Sequence, residues 1–274
     1  MQARGAIGVF DSGVGGLSVL RHIRRLLPDR HLIYVADSGH VPYGEKSQDY
    51  IEQRAITLAN FLVLQGAAAI VIACNTASAA AAASLRRQFT LPVIAMEPAI
   101  KPAIAATRSG VIGVLATTGT LESARFAALL ERYTGDVEII TQGCAGLVEQ
   151  VERGDLDGPG TRRLIERYTA PLLARGADTL VLGCTHYPFL RPLITDVIGP
   201  DVMLIDTGAA VALEVQRRLH PQSALHDHRA ANSQTASDPT IAFWTSGDMQ
   251  TARTVTPLLW SSPLAVEQLP TPFL

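Results

Sequence analysis

Val181-Leu182-Gly183-Cys184-Thr185-His186-Tyr187-Pro188 decides how the chain reads. The apolar run Thr179-Leu180-Val181-Leu182 has the pattern of a buried strand and stops at Gly183. Cys184, Thr185 and His186 then fall on a turn, with Pro188 placed to open a helix. A thiol at a strand end, facing helix-terminal amides and beside an imidazole, is expected to gain thiolate character near neutral pH. A second stretch has the same form. Ala69-Ile70-Val71-Ile72-Ala73 leads into Cys74-Asn75-Thr76 and an alanine-rich helix, 110 residues earlier (184 − 74). The two read as one device used twice.

Ahead of both, Ala6 to Phe10 reads as a strand and Asp11 to Gly16 as a turn. Leu17, Leu20, Ile23, Leu26 and Leu27 then mark one helix face. His31 to Ala36 is the next strand and delivers Asp37 and Ser38. The loop Val41-Pro42-Tyr43-Gly44 leads to a helix over about 47–65, and a short strand near 92–95 ends before Glu97-Pro98. There the pattern restarts. Val111 to Leu115 and the turn Ala116 to Thr120 echo the opening strand and turn at an offset of 105 (112 − 7). Helices are expected near 121–133, 144–153 and 161–175, strands near 137–140 and 202–205, and a helix ending about Leu219. The polar stretch 220–239 reads as a surface loop, followed by a strand at Ile241 to Trp244, a last helix and a tail. This alternation predicts two similar α/β domains with mostly parallel sheets and the active site in the cleft between them. The first would be residues 1–97 completed by 208–274, the second residues 98–207.

Of the 274 residues, 47% are hydrophobic and 18% charged, which describes a globular chain with a proper core. A net charge of −2 offers no basic field, so nucleic acid is not an expected partner. The opening residues lack the basic, apolar and cleavage regions of a signal peptide, and no apolar run is long enough to span a bilayer. Cys74, Cys144 and Cys184 form no secreted disulfide framework, and cytoplasm is the expected compartment. Without a Cys-x-x-Cys pair, no metal site is expected.

Asp11-Ser12-Gly13-Val14-Gly15-Gly16 invites a nucleotide reading. The dinucleotide pattern needs glycine where Ser18 stands, and a phosphate loop needs a lysine that is missing. What remains is a tight turn whose amides and Ser12 hydroxyl could hold a carboxylate, with Asp11 either capping the turn or acting chemically. His186 is a loop histidine or a proton relay for Cys184, and the other six histidines read as solvated surface. Glu152 would by default be a solvated helix residue, and Cys144 a buried structural one.

Taken together, Phe10-Asp11-Ser12-Gly13-Val14-Gly15-Gly16, Pro42-Tyr43-Gly44, Ala73-Cys74-Asn75-Thr76 and Gly183-Cys184-Thr185-His186-Tyr187-Pro188 carry a resemblance. Over essentially its whole length the chain resembles the glutamate racemases of the cofactor-independent aspartate/glutamate racemase superfamily. The resemblance implies that Cys74 takes the α-proton of D-glutamate and Cys184 that of L-glutamate. It gives Asp11 as helper to Cys74, Glu152 and His186 as helpers to Cys184, and Asp37 as a weaker helper. Asp11, Ser12, Tyr43, Gly44, Asn75, Thr76, Thr185 and His186 would hold the ammonium and two carboxylates. It further implies no cofactor, a homodimer, and supply of D-glutamate for peptidoglycan in a bacterial cytoplasm. The family's prolines near the middle cysteine are here Ala145 and Glu149.

The residues suit that chemistry. Inverting a Cα centre needs acid/base groups on both its faces, and two cysteines from two similar halves supply them, modest local stabilisation being expected to bring each thiol near the operating pH and so to thiolate character. A pyridoxal route would need a Schiff-base lysine, and the only lysines, Lys46 in a polar loop and Lys101 before Pro102, are poorly placed. Alternatives are a sister racemase for aspartate or another acidic substrate, or a cysteine hydrolase with Cys184 as nucleophile and His186 as base. The last is a non-catalytic protein binding DNA gyrase, as some members of the family are reported to do.

Overall fold

Short apolar runs closed by glycine, proline or a capping residue become strands, and the amphipathic runs between them become helices. The computed structural model describes residues 5–133, 135, 137–219, 240–261 and 264–274. The expected surface loop at 220–239 lies outside them. In chain order come β1 (Ala6–Asp11), α1 (Leu17–Leu26), β2 (Leu32–Ala36), α2 (Gln48–Leu64), β3 (Ala67–Ile72), α3 (Asn75–Gln88), β4 (Val93–Ala95) and α4 (Ile100–Ala106). Next are β5 (Val111–Ala116), α5 (Thr118–Leu121), α6 (Ala124–Glu131), β6 (Glu138–Gly143), α7 (Leu147–Glu152), α8 (Pro159–Ala174), β7 (Thr179–Leu182), α9 (Arg191–Ile198) and β8 (Met203–Ile205). The chain closes with α10 (Gly208–Leu219), β9 (Ile241–Thr245), α11 (Met249–Leu259) and β10 (Val266–Gln268).

The strands form two sheets, ordered β10-β9-β2-β1-β3-β4 and β6-β5-β7-β8, and every pairing is parallel. Both faces of the first sheet are covered, so β1 and β2 are buried along their whole length. Four successive strands of the first sheet, β2-β1-β3-β4, follow the same order as β6-β5-β7-β8. Register carries the likeness further. Phe10 pairs with Ile72 and Leu115 with Leu182, so Cys74 and Cys184 each stand two residues beyond an equivalent pair. β9 and β10 extend the first sheet at its β2 edge, and α10 packs on α1. One buried apolar cluster joins both sheets, with Val9, Tyr34 and Val71 on one side and Leu115, Leu182 and Tyr187 on the other. Among the described residues no helix is long and apolar enough to cross a membrane.

Three local expectations change. The helix expected at 121–133 is two helices, because Ser123 Oγ accepts the Phe126 amide at 3.1 Å and starts a new one. Pro188 sits in a 3₁₀ turn, Tyr187–Leu190, and the α-helix begins at Arg191. The tail after the last helix contains β10, whose exposed Glu267 and Gln268 leave only Val266 as an inward-facing apolar residue.

Candidate active site

Parallel strands deliver their carboxyl ends to one edge of each sheet, and the two edges face each other across a narrow cleft. Every residue expected to hold substrate lines it except Asp11: Ser12, Tyr43, Gly44, Asn75, Thr76, Thr185 and His186. Cys74 and Cys184 line it too, and the cleft, with its opening to solvent, takes in ≈ 270 Å³. Asn75 is 4% exposed, and neither its amide nitrogen nor its oxygen meets a hydrogen-bond partner in the protein. A buried amide with no partner costs stability unless a ligand satisfies it.

Cys74 caps α3. Its Sγ accepts the Ala77 amide at 3.4 Å, and its thiol reaches Ser12 Oγ at 3.8 Å. Behind Ser12 lies Asp11, fully buried. Asp11 Oδ2 accepts the Gly16 amide at 2.7 Å, while Oδ1 faces the hydroxyls of Ser12 at 3.5 Å and Thr185 at 3.4 Å. Burial pushes the Asp11 carboxyl up to about 6, with the His186 charge opposing and the Glu152 charge adding. Burial first, then the Asp11 charge, pushes the Cys74 thiol well above the ordinary thiol range despite the Ala77 amide. The expected thiolate is therefore corrected here. The helix-terminal amide is present, but desolvation outweighs it, and Cys74 rests as a neutral thiol.

Cys184 has a different companion. Its Sγ lies 3.7 Å from His186 Nδ1, and His186 Nε2 lies 2.6 Å from Glu152 Oε1. Glu152 is no solvated helix residue: Oε1 also accepts the Val14 amide at 2.7 Å, and Oε2 accepts the Ser38 hydroxyl at 3.0 Å. For His186, burial works against the charged form, but Cys184 and Glu152 outweigh it and hold the imidazole well above its usual range. The glycine-rich turn explains itself at this contact. A Cβ on Gly13 would lie 1.9 Å from Glu152 Oε1, and one on Gly15 would lie 2.3 Å from His186 Nδ1. The turn is bare so that the other half can close against it.

Asp37 reaches neither cysteine. Arg54 grips it with Nε to Oδ2 at 3.0 Å and Nη2 to Oδ1 at 2.7 Å, and the Tyr43 hydroxyl donates to Oδ2 at 2.5 Å. Its work is to hold Tyr43 in the cleft wall, which corrects the helper role. Cys144 is buried outside the cleft, and its thiol donates to the Gln142 carbonyl at 3.4 Å. Burial and the nearby Cys184 push that thiol up to about 12. Both lysines are exposed and away from the cleft, Lys46 lying over the Tyr50 ring.

Four contributors had not been singled out as site residues: Thr117, Ser38, Arg54 and the Val14 amide. Thr117 was readable, since it stands 105 residues after Ser12 (117 − 12), the same offset as the repeated strand. Its hydroxyl meets Thr76 at 2.9 Å and Thr120 at 3.0 Å, and Thr76 meets Thr120 at 3.1 Å, tying the two strand-end clusters together. The other three act through side chains or amides brought close only by the fold.

Two parallel α/β halves, with a thiol at the equivalent strand end of each, thus face one small cleft. The chain belongs to the Asp/Glu/Hydantoin racemase family, whose sequence pattern matches residues 7–215. A glutamate racemase of Ectopseudomonas mendocina is 58% identical over 261 residues, 94% of this chain and 95% of its own length. The structure of Escherichia coli glutamate racemase in complex with L-glutamate and the activator UDP-MurNAc-ala is similar, with a TM-score of 0.83 and 35% identity over 97% of each chain. So is that of the Francisella tularensis glutamate racemase with D-glutamate, at a TM-score of 0.80 and 28% identity over 98% of each chain.

Proposed function

We propose that the chain is a glutamate racemase that interconverts L- and D-glutamate by proton transfer between two thiols, without a cofactor. The observation that carries this reading is the placement of Cys74 and Cys184 two residues beyond equivalent strand pairs, on one cleft. One cysteine, as thiolate, takes the α-proton, and the other, as thiol, returns a proton to the opposite face. Cys184 serves L-glutamate and Cys74 serves D-glutamate. The Cys74 proton leaves along the chain of hydroxyl and carboxylate through Ser12 to Asp11. His186, held by Glu152, offsets negative charge at Cys184 when that proton leaves. Ser12, Tyr43, Gly44, Asn75, Thr76 and Thr185 bind the ammonium and carboxylates, with the amides at the start of α3 facing an anionic group.

Domain division follows the sheets in this reading: residues 1–97 with 208–274 form one domain and 98–207 the other, supported by β9 and β10 joining the first sheet. The enzyme works as a cytoplasmic homodimer and supplies D-glutamate for peptidoglycan. Proton exchange at Cα in heavy water tests the activity. L- and D-glutamate should each exchange with inversion, with no cofactor added. Exchange with aspartate alone would replace glutamate as substrate, and exchange with neither would overturn the reading.

A further inference from the structure

We propose that Ser38 is a positioning residue for the Cys184 half of the reaction, acting through Glu152 and His186. This rests on the racemase reading above. Glu152 ends α7, a helix of six residues, and a single hydrogen-bonded oxygen would leave its carboxylate free to turn. Its two oxygens are instead divided between tasks. Oε1 serves His186 and the Val14 amide, and Oε2 is held by the Ser38 hydroxyl at 3.0 Å. Fixing Oε2 fixes the direction of Oε1, hence the imidazole plane, hence the approach of Nδ1 to Cys184 at 3.7 Å. An orienting partner behind a proton-carrying histidine has the same logic as the third member of a catalytic triad.

Ser38 is itself held from behind. It lies just beyond β2, and the loop after β9 clamps its turn. Ser246 donates its amide to the Ala36 carbonyl at 3.1 Å, and its Oγ accepts the Gly39 amide at 3.0 Å. Gly247 passes so close that a Cβ there would meet Ser38 Cβ at 2.8 Å. So the strand that returns near the end of the chain sets the position of Ser38, and through it the geometry at a cysteine of the other sheet. Ser38 donates to the charged partner of His186 and touches neither thiol, so its removal should slow one proton transfer and spare the other.

Racemisation has an equilibrium constant of one, so kcat/KM must fall equally in both directions. The primary isotope effects need not move together. Ser38→Ala should lower kcat/KM about tenfold, the effect of losing a hydrogen bond to a charged group. It should also raise the deuterium isotope effect on kcat/KM for α-deuterated L-glutamate and lower it for α-deuterated D-glutamate. Ser38→Thr, which keeps the hydroxyl, should restore rate and isotope effects towards wild type. Wild-type isotope effects in Ser38→Ala would overturn the proposal. So would an equal loss in Ser38→Ala and Ser38→Thr, which would mark a packing role only. Failure of the wild type to exchange glutamate would instead remove the racemase reading itself.

Discussion

Cys74 and Cys184 occupy equivalent places in equivalent sheets and have unlike surroundings. Cys74 faces a helix N-terminus, a hydroxyl and a buried carboxylate, while Cys184 faces an imidazole backed by a second carboxylate. The register shows where symmetry stops: Asp11 follows the paired Phe10, and Ala116 follows the paired Leu115. One half brings an acid to that spot and the other a methyl group. In the proposed racemisation, two similar folds would give proton transfer on two faces, and divergence around each thiol would give each its own means of exchanging protons. The carboxylate at Cys74 is local, supplied by β1, the neighbouring strand of the same sheet. That at Cys184 comes from α7 and is held by amide and hydroxyl donors of the opposite half.

The largest expected effect tests whether both thiols are needed. Cys74→Ala and Cys184→Ala should each cut racemisation by on the order of 10³-fold or more, as removal of a proton-transfer group does. Coupled assays of D-glutamate formation would measure it, and a loss confined to one of the two would break the symmetric reading. Next comes the buried acid. Asp11 has its carboxyl raised from 3.8 to about 6, so the native state binds that proton more tightly than the unfolded chain. The stability this gives is fully present below about pH 4 and is lost as pH rises through about 6. Asp11→Asn, which keeps an acceptor for the Gly16 amide, should gain stability over wild type across that window, reaching about 1–3 kcal/mol above it, while racemisation falls. Urea denaturation at pH 4 and pH 7 checks the sign, and a gain that does not grow with pH would sink the assignment. The smallest effect belongs to the third cysteine. Cys144→Ser should leave racemisation within about twofold, because its thiol donates to the Gln142 carbonyl outside the cleft, and a polar-for-thiol change away from the reacting groups costs little.

Much of this was legible in the chain. The strands were readable because a parallel sheet buried on both faces demands unbroken apolar runs, and Ala69 to Ala73 and Thr179 to Leu182 are such runs. The cleft residues were readable because strand ends and the first turn of a following helix are contiguous in sequence. β10 escaped because an edge strand with one buried residue has no pattern to detect. Asp37 was misassigned because sequence places it beside the site but cannot show that Arg54, seventeen positions on, takes its charge. The thiolate expected at Cys74 failed for a related reason: an amide at a helix start is visible in sequence, whereas the depth of burial that overrules it is not.

The chain passes between the two sheets at only two places among the described residues, leaving the first after β4 and returning between β8 and α10. Glu97 to Pro102 line the same cavity as Asp206, Thr207, Ala210 and Val211, so the two crossings run side by side. Two neighbouring links resemble the paired leaves of a door hinge: if the sheets part, such links would resist torsion and favour one rotation. The separation of the two thiols would then become a function of a single angle. Loosening either link would widen the range of that angle without touching a single group in the cleft.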